Sequence, residues 1–169
     1  MTEKATKKTV AISIKRQRPT LPRIIVATGF KLRFDKATGM LDVYLEASGQ
    51  KGERVSLDPT MLRTNLDMLK RYAAGLAVEQ DDAAQKDDIA VGEQIHFANI
   101  VHCSHVGDRS ETIFGVFSMA DWVEATRPAD GSKSQEITSF DSLVAVSAPG
   151  VQKKLVLELV LLISQQGKE

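Results

Sequence analysis

This chain of 169 residues has one cysteine, only 5% aromatic residues and no net charge, its 22 Lys and Arg being balanced by 22 Asp and Glu. A lone Cys103 cannot close an internal disulfide, and "MTEKATKKTVAISIKRQRP" lacks the charged, apolar and small-residue pattern of a secretory signal. The expected setting is therefore reducing and cytoplasmic. Zero net charge removes any global argument for nucleic acid or membrane. The longest apolar stretch, "LVLELVLLI" (155–163), is broken by Glu158 and is too short to span a bilayer, so no membrane partner is expected. Conventional catalytic signatures are missing as well: "DGSKS" lacks the spacing of a P-loop, and there is no dinucleotide glycine fingerprint, no helical His-Glu-x-x-His and no Gly-x-Ser-x-Gly elbow. Neither an enzyme nor a cofactor is expected.

What the sequence does hold is the composition of a soluble globular protein, 43% hydrophobic and 26% charged. A chain this long suits one compact domain that buries roughly 70% of its unfolded surface. Its charges are unevenly placed. Lys4, Lys7, Lys8, Lys15, Arg16, Arg18 and Arg23 face a single acid, Glu3, in the first 23 residues, whereas "EQDDAAQKDDIAVGE" (79–93) sets six acids against Lys86.

Strict alternation marks the strands. "TVAISIK" alternates Val10, Ile12 and Ile14. "RIIVATGFKLRFD" places Phe30, Leu32 and Phe34 opposite Lys31 and Arg33, and "MLDVYLEA" places Leu41, Val43 and Leu45 opposite Asp42, Tyr44 and Glu46. The connections are short, so the strands form an antiparallel meander. "RVSL" then enters a helix capped by Asp58, with Pro59 at its first position and Leu62, Leu66, Leu69, Ala73 and Leu76 on one face.

The second half repeats the plan: a strand "IHFANIVHCSH", a turn "VGDR", a strand "ETIFGVFSMA", and "SLVAVS" entering a helix from about Pro149 to Gln165. Setting Val55 against Val144 brings Leu57 to Val146, Asp58 to Ser147 and Leu66 to Leu155. The predicted fold class is α+β: two antiparallel ββ(β)α units forming one composite sheet with both helices on one face. Duplication and coincidence both remain open at this stage. The predicted organisation is a basic tail (1–8), a first meander plus helix (9–77), an acidic linker (78–94) and a second meander plus helix (95–166), all in one compact domain. The second helix is apolar nearly all round, which predicts a cover on more than one side. Leu157, Val160 and Leu161 are candidate partner contacts, the partner being a second copy of the chain or another protein. Trp122, which opens the long segment 120–141 between strands, is a further partner candidate.

Residues 97–165 resemble a family of short bacterial proteins of unknown function. Their pattern runs aromatic-Ala-Asn-hydrophobic, then Ser-His, a strand, and a strand turning through Ser-x-Pro into a C-terminal helix. The matching residues here are Phe97, Ala98, Asn99, Ile100, Ser104, His105, Ser147, Pro149, Lys153 and Leu155. The resemblance implies a fold and no activity, with a bacterial or phage source. In topology, a meander backed by helices and assembled into oligomers is similar to export chaperones that hold unfolded polypeptides.

The chemistry-bearing cluster is "HFANIVHCSHVGD", with His96, His102, Cys103 and His105. Strand alternation puts Cys103 and His105 on one face and His102 and Ser104 on the other. Cys103 and His105 are the metal candidates, two ligands where a structural zinc site takes four. The structural reading instead assigns Phe97, Asn99, Ser104, His105, Asp58 and Pro149 to strand and cap positions. Lys7, Lys8, Lys15, Arg16 and Arg18 are the nucleic-acid candidates, because clustered cations contact phosphates. The expected activity is non-enzymatic self-association or scaffolding. The alternatives are holding extended polypeptide and binding nucleic acid through the basic arm.

Overall fold

The computed structural model describes residues 12–17, 23–118, 120, 121, 123 and 135–166. The strands are β1 (Ile12–Gln17), β2 (Ile24–Asp35), β3 (Met40–Ala47), β4 (Gly52–Leu57), β5 (Val91–Ala98), β6 (Ile100–Val106), β7 (Arg109–Phe117) and β8 (Gln135–Ser147). The helices are α1 (Pro59–Leu62), α2 (Leu66–Gly75) and α3 (Pro149–Gln166), with short 3-10 turns at Arg63–Asn65 and Asp82–Ala84. The fold is α+β, one mixed sheet in the order β5-β4-β3-β2-β8-β7-β6, with β1 added beside β8.

The meanders β2-β3-β4 and β6-β7-β8 are antiparallel, as their short turns dictate. Three other pairings are parallel: β1 with β8, the start of β2 (Ile24–Val26) with β8, and β4 with β5. Only Asn99 separates β5 from β6, so the two ends of the strand order are consecutive in the chain and the order returns on itself. Asn99 sits where the chain leaves β4 for β7. Its Nδ2 donates to the Phe117 carbonyl at 2.8 Å and its Oδ1 accepts from the Phe117 N–H at 2.9 Å, so one side chain replaces a rung of the ladder.

The two units repeat strand for strand. Phe30 pairs with Leu45 as Val101 pairs with Phe114, Val43 with Val55 as Thr112 with Ala145, and Val55 with His96 as Ala145 with Ile25. The register of the repeat therefore sets Val55 against Ala145, one residue beyond the alignment that pairs it with Val144. A one-residue slip turns every side chain to the opposite face, and burial shows the consequence. Val55 and Ala145 both belong to the main core, whereas Val144 is buried outside it. The corrected register also brings Pro59 to Pro149, the first residues of α1 and α3.

The main core joins the inner faces of both meanders to α2 and α3, with Phe30, Leu41, Val43, Leu45, Leu69, Phe114, Leu143, Val156 and Leu159 all essentially inaccessible to solvent. Each such side chain contributes about 1.5–3 kcal/mol on burial. Both helices lie on this inner face, and α3 is covered by the sheet and by α2, which meets the need set by its apolar surface.

Sequence and structure part company at several elements. The helix expected to run from Pro59 past Leu69 is broken at Asn65 (φ −113°, ψ 14°), because the Asn65 Nδ2 turns away to donate to the Val101 carbonyl at 2.8 Å. The acidic segment 78–94 is no free linker. Ala84 is buried, the Lys86 N–H donates to the Phe30 carbonyl at 2.9 Å along the open side of β2, and β5 already begins at Val91. The interval 120–141 is not all loop, since β8 begins at Gln135 and pairs with both β1 and β7. Among the described residues, no helix is long and apolar enough to cross a membrane.

Candidate functional site

Polar residues at inward positions are where the two units differ. On β4 and β5, Glu53 and His96 point into the core, their side chains only 8% and 5% exposed, and the His96 Nε2 lies 3.1 Å from the Glu53 Oε2. Arg23, just ahead of β2, donates to the Glu53 Oε1 from Nε at 2.9 Å and from Nη2 at 2.6 Å. The corresponding positions of the other unit hold Leu143 and Ile25, an apolar pair exposed by 1% or less. A buried carboxylate is tolerated here because two cation-capable partners share it.

The second unit carries its own inward network. Gln152 of α3, fully buried, accepts from the Tyr72 hydroxyl at 2.5 Å and donates to the Glu111 carbonyl at 2.8 Å and the Thr112 Oγ1 at 3.1 Å. Burial pushes the Tyr72 hydroxyl up to about 12. On the opposite side of β6, burial and the nearby Arg16 guanidinium lower the pKa of His102 against the opposing pull of Asp141. Arg16 itself is held by Asp141 at 3.1 Å, with the Asp141 side chain 1% exposed.

A groove of about 510 Å³ lies where β2, the β6–β7 turn and the start of α3 meet. Val26, Ala27, Val146, Ala148 and Val151 form its apolar lining, with Thr28, Ser147, Asp108 and Arg109 at the polar positions. The repeat explains the space. Val26 stands where the other unit has Phe97, Val151 where it has Met61, and Ser147 where it has Leu57, three smaller side chains for three larger ones. Ile24 and Val26 are 50% and 54% exposed on the same face of β2.

No protein-family model, curated protein or solved structure matches this chain.

The sequence candidates are scattered. Cys103 faces the main core and His105 accompanies it on that face of β6, the His105 Nδ1 lying 3.1 Å from the Ser110 Oγ. Among the described residues, no three His, Cys, Asp or Glu side chains group as metal ligands. Burial pushes the Cys103 thiol up to about 12. Its thiolate fraction near neutral pH therefore falls below that of an ordinary thiol. A thiol reagent is expected to label the folded protein far more slowly than the urea-unfolded chain, and equal rates would show an open, reactive cysteine. Asp58 caps α1, its Oδ1 accepting from the Thr60 N–H at 3.0 Å, and Pro149 opens α3. Ser104 is exposed on β6, and Phe97 is 60% exposed on β5. Of the α3 candidates, Leu157 and Val160 are half-buried against the core, because α2 and the sheet approach from two sides, and Leu161 is 51% exposed. Lys15 is exposed on β1, and Arg16 is committed to Asp141. Trp122, Lys7, Lys8 and Arg18 lie outside the described residues.

Sequence reasoning missed the Arg23–Glu53–His96 cluster and the groove. A signal for the first existed, because alternation from Val55 and Ala98 places Glu53 and His96 inward, where a charge needs a partner. The groove left none, being made by small residues brought together from β2, β8 and α3.

Proposed function

We propose that this chain is a non-catalytic binding protein that holds an extended apolar polypeptide segment in the groove between β2, β8 and α3. The groove carries the reading. Its volume of about 510 Å³ falls in the range of ligand sites, and its lining is apolar with a few polar groups, the usual make-up of a binding pocket. Exposed Ile24 and Val26 extend that apolar surface along β2. A strand-like guest offers alternate side chains to such a surface.

The direct experiment is fluorescence anisotropy of a labelled, unstructured Val- and Leu-rich peptide against the wild type and Val26→Lys. Val26 is more than half exposed, so the substitution leaves the fold in place. The expected result is at least about a tenfold loss of affinity, on the order of 1.4 kcal/mol. Equal affinities for the two proteins would remove the groove from the function.

Self-association is the second reading, favoured by Leu161, which stands 51% exposed on the outward side of an otherwise well-covered α3. Sedimentation velocity on the wild type and Leu161→Lys decides it: a dimer that the variant dissolves supports this reading, and a monomer at all concentrations ends it.

A further inference from the structure

The outer faces of the two meanders differ more than their inner ones. Across β2-β3-β4-β5 the outward positions form two rows, Lys31–Tyr44–Arg54–Ile95 and Arg33–Asp42–Ser56–Phe97, set by the strand register. The repeat places His102, Ile113, Val144 and Ile24 opposite the first row, and Ser104, Glu111, Val146 and Val26 opposite the second. Within these rows, three Lys or Arg cations and two Tyr or Phe rings occur on the first face and none on the second.

The Lys31 Nζ donates to the Asp87 carbonyl at 2.7 Å and keeps its remaining donors and its charge, while Arg33 is open to a ligand carrying negative charge. Asp42, the acid within the rows, is 3% exposed and already bound to the Arg54 Nη2 at 2.9 Å, so its charge is spent inside the sheet. Arg54 lies over the Tyr44 ring, its guanidinium carbon 5.6 Å from the centroid. Lys31 and Arg33 border a hollow of about 210 Å³ with Tyr44, whose far wall is Asp88 and Ile89. Arg33 is exposed, and Phe97 presents 60% of its surface at the other end of its row. Three inter-strand spacings of ~4.8 Å put Arg33 and Phe97 roughly 14 Å apart.

We propose that this face of β2-β3-β4-β5 binds single-stranded nucleic acid, with phosphates at Lys31 and Arg33 and a base stacked on Phe97. Cations that hold phosphates, on the same face as an aromatic ring open to a base, are the two components of single-strand recognition. The face is separate from the polypeptide groove, and it differs from the basic segment before β2 in offering an aromatic ring.

The test is fluorescence anisotropy of a labelled short oligouridine with the wild type, Phe97→Ala, Arg33→Gln and Lys15→Gln, at low and moderate salt, with a duplex of equal length alongside. Phe97 and Arg33 are both exposed, and melting curves verify that the variants fold. Expected are salt-sensitive binding, a loss of about tenfold in Phe97→Ala, and a salt slope smaller by about one in Arg33→Gln, with Lys15→Gln unchanged. The proposal is overturned by absence of binding at low salt, by duplex binding as strong as single-strand binding, or by binding that Phe97→Ala and Arg33→Gln leave untouched. Loss of an apolar peptide, instead of the oligonucleotide, in Phe97→Ala would assign the face to protein and equally overturn it.

Discussion

Replacing Glu53 with Leu is expected to destabilise the protein by about 3–5 kcal/mol, and replacing His96 with Ile in the same chain is expected to restore most of that loss. The reason lies in the repeat. Glu53 accepts from Arg23 and lies 3.1 Å from the His96 Nε2, and all three groups meet at the edge of the core. Removing the carboxylate alone leaves an imidazole 5% exposed with its partner gone, while Arg23, 49% exposed, can turn to water. The other unit fills the same two positions with Leu143 and Ile25, so an apolar pair of that shape already has a place in this fold. The double variant imports that solution. Urea unfolding of the wild type, both single variants and the double variant gives the coupling energy. Additive losses would show that the cluster is not one unit.

Gly52→Ala is expected to cost about 3 kcal/mol, at the upper end of overpacking penalties. A Cβ on Gly52 would stand 2.1 Å from the Leu45 carbonyl oxygen in β3 and 3.1 Å from that of Ala90 just before β5, and both are backbone atoms. Neither can swing aside as a side-chain tip does. The Gly52 N–H is also tied to the Ala90 carbonyl at 2.8 Å, so moving β4 to relieve the clash breaks the contact that starts its pairing with β5. The unfolding midpoint should fall while the denaturant slope stays unchanged. A midpoint within error of the wild type would place β4 elsewhere.

These sites also show how far the sequence could be read. Leu41, Val43 and Leu45 alternate with Asp42, Tyr44 and Glu46, and Asp58-Pro59 announces a helix start, because both signals are local. The parallel pairings of β4 with β5 and of β2 with β8 join residues far apart in sequence, and no turn residue records them. Asn99 reads as one more strand residue until Phe117 is beside it. The segment 78–94 reads as solvated from its acids, yet Ala84 is buried and Gln85 forms a bridge with Phe30 on the open edge of β2. The candidate site was the least legible part, since a groove is defined by the side chains that are small where their counterparts are large.

Whether a guest occupies the groove between β2, β8 and α3 is decided by methyl NMR of the valines and leucines during titration with the apolar extended peptide. Binding there shifts Val26, Val146 and Val151 and leaves Leu157 and Leu161 unmoved. Shifts centred on Leu157 and Leu161, or none at saturating peptide, would contradict it.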